Sequence, residues 1–262
     1  MNKSLFPTIA FTLSLAACSS NASDSTPTPT MMDAAADTTT DAGALDAAPE
    51  LDAQAPTTCT AAREQLMGPI DKVSTGNVAT LSNKDGVRTL YVDASAGGTQ
   101  AQGSNPRVYL NLETGARVDV TDVAALGGTA ALSWDLAIKR PILFTNSGDA
   151  GPGQGNALFL SGKSFDSVSA ADARTLSNEI EQFFGKDCAP KVDRTNAMLT
   201  SFSGWYDYDT STSRVTPAAG AWIVRGATGK LYKLAVLSYY ANPDGTEGPA
   251  GGRYTLKVKA LQ

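Results

Sequence analysis

From about residue 78 onward, apolar side chains recur at every second position, the spacing of strands that bury one face. Val78–Leu81 and Gly86–Val92 read as a hairpin through Asn83-Lys84-Asp85-Gly86, with Gly86 available for a positive φ. Val108, Leu110 and Leu112 alternate, turn at Glu113-Thr114-Gly115 and return as Val118 and Val120. Trp134, Leu136 and Ile138 alternate with Asp135, Ala137 and Lys139, which predicts a strand with the second set facing away from the core. Pro141 places the next residues at an edge or a bend, because proline has no N–H for a ladder. Gly148, Gly151, Gly153 and Gly155 then form a loop able to turn tightly or to lie against another surface.

One helix is expected after that loop. Ser169 suits an N-cap, Asp172 the first turn, and Ala173, Leu176, Ile180, Phe183 and Phe184 recur at helical spacing before Gly185. Such an aromatic stripe reads as core. Strands resume at Ala221–Gly226 and Leu231–Tyr240, joined by Ala227-Thr228-Gly229-Lys230. In the last strand Tyr254, Leu256 and Val258 alternate with Thr255, Lys257 and Lys259, and Asn242–Gly252 before it reads as an exposed loop. The pattern predicts an all-β fold of mostly antiparallel sheets with one main α-helix, in a single domain over residues 59–262.

The first 58 residues follow different rules. Lys3, the apolar run Leu5–Ala17 and Leu15-Ala16-Ala17-Cys18 make residues 1–18 a lipoprotein signal peptide, with Cys18 as the lipid anchor. Ser19 after the cysteine favours an outer-membrane destination, facing the surface or the periplasm. Residues 19–58 are an Ala/Asp/Thr/Pro tether with seven acidic residues and no Lys or Arg, too poor in apolar groups to offset chain entropy. Extended, such a segment reaches on the order of 100 Å. The net charge of −5 comes from this tether, since residues 59–262 hold 20 basic and 19 acidic side chains. A near-neutral domain without a basic cluster gives no footprint for nucleic acid.

Composition restricts the chemistry further. There is no histidine, so Ser-His-Asp and Cys-His catalysis and imidazole ligation of metals are excluded, and no enzyme is expected. With Cys18 lipidated, Cys59 and Cys188 remain, an even number in an exported protein, and a disulfide is expected, two free thiols being the alternative. No Lys-Ser or Lys-Thr directly follows the glycine loop, which argues against a phosphate cradle. Asp207 and Asp209 could form a carboxylate pair or a calcium loop, but Trp205-Tyr206-Asp207-Tyr208-Asp209 more simply alternates rings with solvent-facing carboxylates. Asp244 and Glu247 read as solvated.

The ordered motifs WDLA-x-x-R, TN-x-G with its glycine loop, WYDY and IVRGATGKLYKLAVLSYY resemble the HmuY family of bacterial haem-binding lipoproteins over about residues 90–261. The resemblance implies an all-β domain on a lipid anchor that takes up haem or another porphyrin outside the cell. It also implies a partner: an outer-membrane receptor or a haem-carrying host or neighbour protein. In that family the residue before the arginine of WD-x-A-x-x-R is commonly a histidine ligand; here it is Lys139. The family's second ligand falls around Lys163–Ala171, where this chain has neither histidine nor methionine. Lysine ligation requires loss of a proton, about 4.6 kcal/mol at pH 7 for an unperturbed group. A thioether needs none, which makes Met198 the other candidate, although it also reads as a core methionine. The expectation is therefore haem binding with non-histidine or weak ligation, the alternative being a surface lipoprotein of the same fold that binds another hydrophobic ligand or a protein.

Overall fold

The computed structural model describes residues 59–261 except 129 and 131. The expected signal peptide, Cys18 and the tether lie outside the described residues. The described residues begin with α1 (Thr60–Met67) and continue through β1 (Val78–Lys84), β2 (Val87–Asp93), β3 (Val108–Asn111), β4 (Ala116–Val118), α2 (Asp122–Leu126), β5 (Leu136–Lys139) and β6 (Ile142–Thr145). It ends with β7 (Asn156–Ser161), β8 (Tyr206–Asp209), β9 (Arg214–Pro217), β10 (Gly220–Arg225), β11 (Leu231–Ser238) and β12 (Arg253–Ala260).

Two antiparallel sheets pack face to face. The larger has the order β1-β2-β12-β11-β10-β7, the smaller β4-β3-β5-β6, and β8-β9 is a separate hairpin. Alternation decides what lies between them: Leu90, Val92, Trp222, Val224, Leu234, Leu256 and Val258 from one sheet meet Val108, Leu110, Leu136, Ile138 and Leu143 from the other. The intervening positions are also covered. Tyr109, Ala137 and Phe144, on the outer face of the small sheet, join Cys59, Met67, Trp134 and Phe183 in a second cluster. Ala221, Ile223 and Ala235, on the outer face of the large sheet, pack against Phe165 and Val168. Leu136, Ala137 and Ile138 are thus all buried, where the sequence predicts one buried face. Pro141 does mark an edge, since β6 ends the small sheet.

The Asp85-Gly86 turn joins β1 and β2 with φ values of 53° and 74°, which matches the right-handed twist of the paired strands. The four glycines of 148–155 serve close approach more than unusual dihedrals, for only Gly148 has a positive φ. A Cβ on Gly153 would lie 2.5 Å from the Asn146 carbonyl oxygen and 2.9 Å from Ala227 Cα, and one on Gly155 2.7 Å from the same oxygen. Ser147 bridges Gln154 within the loop, and Gln154 N donates to Ala227 O at 2.9 Å. The loop therefore joins β6 to β7, one from each sheet, and is pinned to the β10–β11 turn.

The helix expected over 169–185 does not form. Ser169 N does donate to Asp172 Oδ2 at 2.8 Å, as a helix start requires, but a single 3₁₀ turn, Asp172–Thr175, follows and Leu176 is extended. The apolar residues serve two cores: Leu176 packs under the large sheet, Phe183 and Phe184 under the small one. A helix has one apolar stripe and could not reach both. The main α-helix is instead α1, whose N-cap Cys59 is bridged to Cys188 across 129 residues. Cys188 thus closes an irregular segment rather than a helix.

Candidate functional site

The β5–β6 turn is held from three directions. Arg140 has φ 51°, a left-handed conformation that costs a non-glycine residue roughly 1–2 kcal/mol. Arg140 N donates to Ala94 O at 2.8 Å, Trp205 Nε1 to Pro141 O at 2.8 Å, and the Tyr254 hydroxyl to Arg140 O. Trp205 belongs to a ring cluster with Tyr206, Tyr239 and Tyr254 at centroid distances of 4.7, 5.8 and 5.5 Å, and Tyr240 extends it from Tyr239 at 5.0 Å. The Arg140 guanidinium favours ionisation of Tyr239 and Tyr254, but burial outweighs it, pushing Tyr239 up to about 12 and Tyr254 well above its ordinary value. Burial also raises Tyr206. These phenols are poor sources of a phenolate ligand.

Lys139 lies on the other side of this turn. It pairs with Ile142, so the two side chains share the outer face of the small sheet, and Ile142 and Met198 both pack against the cluster there. Lys139 therefore lies on the face that this cluster covers, and Met198 packs against the same cluster from the 190–201 segment. Burial and then the nearby Arg107 guanidinium lower the Lys139 pKa, against the pull of Asp122. The stretch 163–171 packs elsewhere: Phe165 and Val168 cover the outer face of the large sheet, and Lys163 pairs with Asp172. A cavity of about 420 Å³ is lined by residues 156–157, 179–182, Lys191 and 199–201, and neither Lys139 nor Met198 lines it.

Three buried carboxylates hold these parts in place, and the sequence marked none of them. Asp122 accepts from Ile70 N, Arg107 N, Arg107 Nη1 and the Tyr109 hydroxyl at 2.9–3.2 Å, while Arg107 Nη2 reaches Met67 O at 2.6 Å. Asp135 accepts from Leu112 N at 2.7 Å and Ala227 N at 2.8 Å, joining a turn of each sheet; it is 5 % exposed rather than facing solvent. Glu181 accepts from Thr145 N and Oγ1 at 2.8 and 3.0 Å and from Ser201 N and Oγ at 2.9 and 2.5 Å. Burial raises both the Asp135 and Glu181 pKa values against their hydrogen bonds.

Asp207 and Asp209 are exposed on β8, but Tyr208 between them is 55 % exposed, so the rings of that strand are not all turned inward. Asp209 accepts from Ser211 N at 2.8 Å, a local turn contact. Among the described residues no group of three or more Cys, Asp or Glu side chains could hold a metal ion. No helix among them is long and apolar enough to cross a membrane.

Fold and site together define a mostly antiparallel β-sandwich protein with a ring-backed, cationic turn at one end. The chain belongs to the HmuY family, whose model, described as HmuY protein, matches residues 104–254, more than half of the sequence. Among solved structures it is similar to a protein of Bacteroides vulgatus named as a HmuY-like haem-binding protein (17% identity, 69% of this chain and 96% of that one, TM-score 0.44). It is also similar to the apo HmuY analogue of Tannerella forsythia (15%, 73% and 100%, 0.42) and to a protein of Bacteroides fragilis named as a lipoprotein (21%, 68% and 91%, 0.38). No curated protein matches the chain.

Proposed function

We propose that this protein is a membrane-anchored haem- or porphyrin-binding lipoprotein of the HmuY type whose iron ligation uses no histidine. Membership of the HmuY family over residues 104–254 carries the reading. Residues 1–18 act as the signal peptide, Cys18 as the lipid anchor, 19–58 as the tether and 59–262 as the binding domain, placed at the outer membrane. Haem, when bound, would supply an iron open to ligation by protein donors. Lys139 Nζ and the Met198 thioether are the donors that would hold it, and the lowered Lys139 pKa favours the neutral amine that ligation needs. The role is that of a carrier rather than an enzyme, delivering to an outer-membrane receptor or taking haem from another protein.

The absence of histidine supports a second reading, in which the same fold holds another hydrophobic ligand or a protein partner and no haem. A haemin titration of the purified chain, with spectra of the oxidised and reduced forms, separates the two. A saturable one-to-one Soret shift that is lost in Lys139→Ala or Met198→Ala supports the first. A spectrum unchanged from free haemin overturns iron ligation and leaves the second.

A further inference from the structure

Lys233 on β11 and Lys259 on β12 are directly opposite each other in the strand register. Like charges so placed repel, and the pairing itself destabilises the sheet. Both face a cavity of about 450 Å³, completed by Asp85, Gly86, Ala260 and Leu261. Lys233 is only 9 % exposed, and an ammonium withdrawn from water is costly unless an opposite charge compensates it.

The surrounding groups supply that compensation only in part. Lys233 Nζ donates to two neutral carbonyls, Val168 O at 3.1 Å and Asp166 O at 3.5 Å. It also lies 4.8 Å from the centre of the Phe165 ring, which it shares with Lys257 at 4.5 Å. The Asp166 carboxylate is engaged by Lys257, at 3.0 Å. Asp85 is exposed at the rim, and among the described residues no carboxylate forms an ion pair with Lys233 or Lys259. Desolvation lowers the Lys233 pKa, Asp166 opposes this, and Lys259 and Lys257 add to the lowering.

We propose that the Lys233–Lys259 cavity is a binding site for a phosphate-type oxyanion, which bridges the two opposed ammonium groups. Ammonium groups at the wall of a cavity this size act as point charges for phosphate. The anion is either free in solution or the headgroup of a lipid, and the chemistry of recognition is the same.

The test is thermal unfolding of the full chain in inorganic phosphate against sodium chloride of equal ionic strength, comparing wild type with Lys259→Gln. A ligand bound only by the folded state raises the midpoint saturably. The site predicts such a rise in wild type, at least halved in the variant, and a variant no less stable than wild type when phosphate is absent. Phosphorus NMR should show line broadening of phosphate by wild type that the variant loses. If inorganic phosphate has no effect but phosphatidylglycerol vesicles bind wild type more than Lys259→Gln, with no such difference on phosphatidylcholine, the anion is a lipid headgroup. Phosphate and vesicle effects that match chloride and neutral lipid overturn the proposal, as does a Lys259→Gln variant that responds like wild type.

Discussion

The indole Nε1 of Trp205 donates to the carbonyl oxygen of Pro141 at 2.8 Å, joining residues 64 apart in sequence. A ring buried at the end of the inter-sheet core thereby fixes the turn that carries Arg140 and follows Lys139. Trp205→Phe keeps most of the packing but leaves the Pro141 carbonyl without its donor, a loss of about 1–3 kcal/mol. Urea unfolding should show this as a lower midpoint with unchanged slope, and haemin affinity should fall with it. A variant with wild-type stability and affinity would show that the turn is held without this contact.

The proposed ligation by Lys139 would compete with protons. Haemin affinity should rise about tenfold per pH unit below the lowered lysine pKa and level off above it. In Lys139→Ala the slope should vanish. Titrations across pH 6–9 read this directly, and a wild-type slope retained by the variant would assign the proton to another group.

Glu181 gives a pH effect of a different sign from the usual carboxylate. Burial places its folded-state pKa above the ordinary 4.5, so its contribution to stability is fully present below about that pH. The contribution is lost as pH rises through the folded value. Glu181→Gln should remove this component, so the difference in unfolding free energy between wild type and variant should change between pH 4.5 and neutrality. A pH-independent difference would mean that the four hydrogen bonds, rather than burial, govern the group.

Asp122→Asn leaves Arg107 buried beside a neutral partner. Breaking a buried pair from one side costs about 3–5 kcal/mol. Because Asp122 also receives Ile70 N and Arg107 bonds Met67 O, hydrogen exchange should quicken in α1 and the segment after it before it quickens in β10–β12. Equal protection loss throughout the domain would contradict this order.

Cys59–Cys188 closes a loop of 129 residues, and in the chain-entropy account that restraint is worth roughly 5 kcal/mol. Cys188→Ser should lower stability by about 2–5 kcal/mol. Denaturation midpoints of wild type with and without reductant should reproduce the difference, and the variant should not respond to reductant.

Strand alternation was legible wherever a residue's own character set its direction. The hairpins around Asp85-Gly86 and Gly115, the β10–β11 turn and the HmuY motifs all appear in the sequence as they do in the fold. Asp135 and Asp122 were not legible as buried groups, because a carboxylate reads as solvent-facing unless its donors are known. Those donors come from far along the chain: Ala227 is 92 residues from Asp135, and Ile70 is 52 from Asp122. The segment 169–185 failed for the opposite reason. Its periodicity was genuine, but Leu176 and Phe183 are drawn to opposite sides of the sandwich, and no local signal records that division. Lys139 could be named only through the HmuY resemblance, and its place on the outer face of the small sheet required the β5–β6 register.

The disulfide has a mechanical consequence as well. Tension entering the domain at Cys59 passes through the sulfurs straight to residue 188, bypassing everything from α1 through β7 and the irregular segment after it. Pulled from its two ends, the domain can unravel only from its C-terminal part, through β8–β12. The turn bearing Lys139 stays within the shielded loop, but Trp205 and Tyr254, which hold that turn, lie in the part that unravels, so stretching the chain would release their grip on it before the loop itself opens.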